Sequence, residues 1–201
     1  MKTRYWVFGS AALAGMVGLW ICHDAALTRI GRSLILEDPL PDSTYDVVVL
    51  PIADDLAIDS SMESLQAAAR LVRAGRARRL VMSCPDWYGR TACSVAQSAL
   101  DAGGMTEIRV EPIRQGPLPD EVEARKVVDY LAGSGTTSAI AFLPNYKTRR
   151  LGSLYKSLGN GARIVFAVRP SSSPFDPQKW WLSGASWKLV VYEMVRRLNI
   201  V

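Results

Sequence analysis

Five short apolar runs punctuate the chain, at 46–52, 79–84, 107–111, 138–143 and 163–168. Most are continuous rather than alternating, the pattern of strands buried on both faces, as in a parallel sheet. Between them, apolar positions repeat at helical spacing. Met62, Leu65, Ala68 and Leu71 mark a helix over 60–74, which Gly75 stops. Further helices are predicted at 91–102, ended by Gly103-Gly104, at 120–132, and at 148–158, ended by Gly159. Strand–helix alternation of this kind implies right-handed βαβ units. The predicted fold is α/β: a Rossmann-like three-layer αβα sandwich around a mainly parallel sheet of about five strands.

The two ends of the chain depart from this pattern. Residues 5–22, YWVFGSAALAGMVGLWIC, carry no charge over eighteen positions, the lower end of what spans a bilayer as a helix. Trp6 and Trp20 lie near its ends and Lys2 and Arg4 precede it, which predicts a cytoplasmic N-terminus and an extracytoplasmic domain. Arg29 and Arg32 on the far side oppose that orientation. The stretch after Leu19, WICHDAAL, offers no small-x-small cleavage site, so an uncleaved anchor is expected rather than a signal peptide. At the other end, Trp187, Val190/Val191, Met194 and Leu198 form one face of a last helix, preceded by Trp180 and Trp181. Packing of that face on the sheet is the plainer expectation, contact of the tryptophans with the bilayer the sharper one. The chain thus divides into one transmembrane anchor (1–24), a juxtamembrane linker (25–45) and one α/β domain (46–201).

Composition adds bounds. Of 201 residues, 49% are hydrophobic and 21% charged, values of a globular protein. The net charge is +5, gathered in groups such as Lys2/Arg4 and Arg29/Arg32 that favour an anionic lipid surface. No zinc pattern, basic helix or aromatic-basic sheet motif accompanies it, so nucleic acid is not an expected partner. Cys84 and Cys93 either pair, if the compartment is oxidising, or stay two buried thiols. No Cys/His ligand spacing is present, so no metal site is expected.

Candidate chemistry belongs to the loops beyond the carboxyl ends of the strands, where such sheets bind ligands. Those loops offer carboxylates at Asp54, Asp55, Asp86, Glu111 and Glu123, and cations at Lys147, Arg149 and Arg150. Arginine suits bidentate phosphate binding, lysine supplies a compact charge, and a helix N-terminus adds its dipole. Each residue also has a plain structural role open to it: Asp120 and Glu123, for instance, have capping-box spacing. There is no GxGxxG, GxxxxGK[ST] or GxSxG motif. The only histidine, His23, adjoins the anchor, so the domain has no histidine for proton transfer.

Several blocks, in order, carry a resemblance: LILEDPLPDSTYDVVVLPI, AARLVRAGRARRLVMSC, IRVEP, DEVEARKVVDYL, NYKTRRL and the closing WWLSGASWKLVVYEMVRRL. From Leu34 onward the chain resembles the YdcF/SanA/ElyC-like family of bacterial envelope proteins. The resemblance implies a Rossmann-like domain, often behind one transmembrane helix, acting in peptidoglycan or envelope polysaccharide processes. Asp46, Glu111, Glu123 and Arg150 match family positions. One soluble member type is associated with S-adenosylmethionine, but an outside location and the missing glycines argue against it, and no cofactor is expected. Pro51-Ile52 and Cys84-Pro85 stand where the family has glycines, Lys147 where it has histidine, and Asp120 where it has threonine. Losing the glycines removes close backbone approach to a ligand, so the family's site is either remodelled or inactive here.

The expectation is a single-pass inner-membrane protein of envelope biogenesis. Its domain would bind a phosphorylated glycan, a polyprenyl-linked intermediate or a partner. In the alternative it is a hydrolase or transferase on such a substrate, with Glu111 or Glu123 as acid/base and Asp54, Asp55, Lys147, Arg149 and Arg150 binding the ligand.

Overall fold

A computed structural model describes residues 22–51, 58–84, 86–87, 90–114, 118–171 and 173–198. The expected anchor up to residue 21 and the loop carrying Asp54 and Asp55 lie outside them. Helix α1 covers 22–33. There follow β1 (Tyr45–Leu50), α2 (Ile58–Arg73), β2 (Ala77–Cys84), β3 (Asp86–Trp87), β4 (Arg90–Thr91), α3 (Ala92–Ala102) and β5 (Val110–Arg114). After these come α4 (Asp120–Gly133), β6 (Ser138–Pro144), a 3-10 turn (Asn145–Lys147), α5 (Thr148–Ala162) and β7 (Val165–Ser171). A second 3-10 turn (Trp180–Leu182) and α6 (Gly184–Leu198) complete the series.

Five strands form one parallel sheet in the order β5-β2-β1-β6-β7. The strand order reverses at β1, the doubly wound arrangement expected. Val47 and Val49 of β1 face α4 and α5, packing with Val127, Leu131, Leu151 and Tyr155. Val48 and Leu50 face α2 and α3, with Leu65, Ala68, Ala96 and Leu100. Burial on both faces is why these strands read as continuous apolar runs.

Each of the five strands differs by a residue or more from its sequence-based bounds, and one shift matters. The third was expected at 107–111, but β5 runs from Val110 to Arg114. Ile108 is buried ahead of it, in the layer with Leu100 and Met105. Glu111 therefore enters the sheet near the strand's amino end instead of leaving it at the carboxyl end. Helix α5 also continues past Gly159 to Ala162 and ends on Arg163 in the left-handed conformation (φ 60°).

The segment expected as a linker lies on the domain. After α1, Leu36 packs with the α4–α5 layer and Leu40 with the α2–α3 layer. The Asp38 amide donates to the Val168 carbonyl (3.0 Å), while its carboxylate accepts from the Val168 amide (2.9 Å) and from Lys156 Nζ (2.7 Å). These bonds occupy polar groups on the β7 edge, which would otherwise stand open.

Helix α6 does not pack as its sequence predicts. Ser186, Val190 and Glu193 are its buried positions, at helical spacing; of the expected face Val190 is buried, while Trp187, Val191 and Met194 are exposed. Val190 joins Leu34, Tyr146, Phe175 and Trp180 in a third cluster, at the start of α5 rather than over the sheet. Among the described residues no helix is long and apolar enough to cross a membrane.

Candidate functional site

The first turns of α4 and α5 begin where β5 and β6 end, so their side chains meet beyond the carboxyl edge of the sheet. Lys147 closes the 3-10 turn and Arg150 sits in the first turn of α5; Asp120, Glu121 and Glu123 open α4. Helix α6 lies across this junction and contributes Glu193 and Arg196.

Arg150 organises the cluster. Its side chain is 1% exposed. Nε donates to Glu193 Oε2 (2.7 Å) and one terminal nitrogen donates to Glu193 Oε1 (2.9 Å) and Asp120 Oδ2 (2.6 Å). The other donates to Glu121 Oε1 (3.1 Å). Lys147 Nζ lies 3.4 Å from Asp120 Oδ1 and Arg196 donates to Asp120 Oδ2 (3.1 Å). Arg150, Lys147, Asp120 and Glu193 are the buried members, and Glu121 and Arg196 join them from the half-exposed rim; an unpaired ion among the buried four would be costly.

Burial pushes the Asp120 carboxyl up, but Lys147, Arg150 and Arg196 outweigh it and hold the group below its ordinary value. For Arg150, burial works against the charge, and bonds to Glu193 and Asp120 reverse the effect and raise its value. Glu123 is buried close to Tyr155, whose phenol is pushed well up by burial first and by Glu123 and Asp120 after it. Asp120 is therefore no cap: Pro119 occupies the N-cap and makes no side-chain bond there.

The remaining expected residues do not join this cluster. Glu111 pairs with Arg79 (3.0 and 3.1 Å to the two carboxylate oxygens) and accepts a short bond from the Tyr130 hydroxyl. Arg79 also donates to Ser134 and Thr136, at the far end of α4 from Glu123. Ser134 and Glu123 are about 16 Å apart along the helix axis. Glu111 and Glu123 therefore lie toward opposite ends of the sheet and do not form one acid/base pair. Arg149 turns toward α1, donating from Nε to the Ser33 carbonyl (2.6 Å) and from the guanidinium to Ile35 (3.1 Å). With Arg197, which also donates to Ser33 (2.8 Å), it satisfies carbonyls at the end of α1, where the helix dipole favours cations. The side chains of Asp54, Asp55 and Asp86 lie outside the described residues.

Asp46, which matches a family position, holds strands together. Its Oδ2 accepts from the amides and hydroxyls of both Thr137 and Ser138 at 2.8–3.2 Å. The Thr137 amide is the chief reason its carboxyl is held low. Cys84 and Cys93 are joined in a disulfide, Cα–Cα 5.4 Å, that closes the β3–β4 hairpin. Among the described residues no group of three or more His, Cys, Asp or Glu could hold a metal ion.

Glu193 and Asp120 are the partners that sequence reasoning did not assign. The signal for Glu193 is its spacing: Ser186, Val190 and Glu193 recur on one helical face, beside the more apolar one. In chemical terms the cluster is an ion-paired joint between the amino ends of α4 and α5 and the side of α6. An anion could reach Arg150 only by displacing carboxylates already bonded to it.

No protein-family model and no curated protein matches the chain. Among solved structures it is similar to a protein of the universal stress protein family from Burkholderia pseudomallei, at 17% identity and a TM-score of 0.39, over 65% of this chain and 99% of that one. It is likewise similar to a universal stress protein in complex with cAMP, at 19% identity and a TM-score of 0.39, over 65% of this chain and 98% of that one. At this level neither likeness carries a ligand or an activity over to this chain.

Proposed function

We propose that the chain is a membrane-anchored envelope protein, a divergent relative of the YdcF/SanA/ElyC-like family, whose extracytoplasmic domain works by binding and not by catalysis. One observation carries this reading: the cations that would hold a phosphate are already engaged within the fold, Arg150 and Lys147 by carboxylates of α4 and α6 and Arg149 by carbonyls at the end of α1. The engagement of Glu111 by Arg79 and the Tyr130 hydroxyl supports it further. The Cys84–Cys93 disulfide supports an oxidising location. A phosphorylated glycan, a polyprenyl-linked intermediate or a partner envelope protein remains the class of ligand, met outside the ion-paired joint.

The deciding experiment is complementation of a deletion strain with Glu111→Gln and Glu123→Gln, each checked for amount and melting temperature. Both are expected to restore function whenever they fold. A variant that folds as the parent does yet abolishes function would return the domain to the enzymes. Alkaline phosphatase fused after Val201 is expected to be active, as an extracytoplasmic domain requires, and an inactive fusion beside an active cytoplasmic reporter would refute the location.

A further inference from the structure

Among the described residues the outward face of α6 is apolar and largely exposed, with Trp180 against one side of Trp187. Trp187 (46% exposed), Val191, Met194 and Val195 follow one another at spacings of four, three and one, so they form one stripe, with Tyr192 beside it. Leu182, in the turn just ahead, is 74% exposed. Scattered apolar residues on a surface need no explanation, but a contiguous stripe does.

Its position and charge indicate what covers it. The Trp180 indole donates to the Leu27 carbonyl of α1 (2.8 Å), and a Cβ on Gly31 would come within 2.7 Å of the Trp180 ring, so α1 and the turn before α6 are closely joined. Cys22, where the uncharged segment 5–22 ends, is five residues before Leu27, about 8 Å along a helix. The stripe thus starts next to the point where the chain leaves its apolar segment. Lys188 is exposed beside it, and Lys179, Arg29 and Arg32 are exposed nearby. The only carboxylate of α6, Glu193, faces inward. Trp187 and Tyr192 combine an apolar ring with a polar atom, which suits the headgroup level.

We infer that this face of α6, with Leu182, docks on an anionic bilayer surface and seats the domain against the membrane that holds its anchor. The inference rests on the anchor reading of segment 5–22. An apolar stripe flanked by Lys188, on a helix whose only carboxylate faces inward, has the pattern of interfacial helices. A second copy is the competing occupant, and the test below separates it from the bilayer.

The test uses the full chain with Cys22→Ser and its disulfide intact, in vesicles of phosphatidylcholine and phosphatidylglycerol. An environment-sensitive dye is placed at Val191→Cys or, as control, at Val165→Cys, an exposed position at the amino end of β7. At 191 the dye is expected to shift to the blue and to be quenched severalfold more than at 165 by a spin label near the headgroups. Equal quenching at the two positions overturns the inference. So does a blue-shifted but unquenched dye at 191 together with 191–191 cross-linking, which assigns the face to a second copy. Carbonate extraction reads the anchor separately. Release from the vesicles sinks the anchor, while quenching at 191 in vesicle-bound chain still establishes docking.

Discussion

Removing the Arg150 side chain strands carboxylates where water does not reach. Glu193 loses the guanidinium that meets both its oxygens, and Asp120 keeps only Lys147 and Arg196. Breaking a buried pair from one side costs far more than its net worth, because the desolvation of the remaining ion is no longer offset. Arg150→Ala is therefore expected to lose about 3–5 kcal/mol in denaturant unfolding. Adding Glu193→Leu should recover more than half of that, since the stranded charge goes with it. A single substitution within about 1 kcal/mol of the parent would show that the joint does not hold the fold together. The residue types that make this joint were legible in the sequence, but their purpose was not. Lys147, Arg150 and Glu123 were rightly expected beyond the carboxyl ends of the strands. What pattern could not supply was the third helix, because Glu193 lies on a face that looks polar and is buried only through its tertiary partner.

Elements were legible where one physical demand governs a whole run, and less so where two compete. Continuous apolar strands followed from burial on both faces, and Gly75, with φ +70°, ends α2 nearby as expected of a glycine. Gly159 misled because a glycine can also serve close packing. It sits inside α5, where a Cβ would come within 2.5 Å of the Phe166 ring and 2.6 Å of the Ile164 carbonyl. Helix propensity alone predicts that Gly159→Ala stabilises the helix by about 1 kcal/mol. The contact predicts the reverse, and it dominates, because the Ile164 oxygen belongs to the backbone and cannot rotate away. Gly159→Ala should destabilise by about 1–3 kcal/mol in thermal or chemical unfolding, whereas the same change at Gly161, where the space is open, should not. A stabilised Gly159→Ala would mean that α5 stands farther from β7 than the structure places it. The same competition explains α6: its most apolar face was expected inward, but the ion-paired joint draws Glu193 in and turns Trp187 outward.

At the scale of the molecule, fold class followed from strand–helix alternation, while function did not, because Asp46, Glu111 and Arg150, which carry part of the resemblance, are all bonded within the fold. Location is more accessible than activity. The Cys84–Cys93 bond spans nine residues and closes a hairpin beside the carboxyl end of β2. Cross-linking a loop of that length removes enough unfolded-chain entropy to stabilise the domain by about 2–3 kcal/mol. In a domain of this size, that corresponds to a melting temperature higher by about 5–10 °C. The parent should therefore melt lower in reductant, and the Cys84→Ser/Cys93→Ser variant should melt at that lower temperature with or without it. If the reductant moves both proteins equally, the bond contributes nothing and the case for an oxidising compartment loses its structural support. If it moves only the parent, the domain gains stability from a bond that a reducing cytoplasm would not maintain. That result and an active periplasmic fusion would then be independent measures of one location, the first from stability and the second from topology.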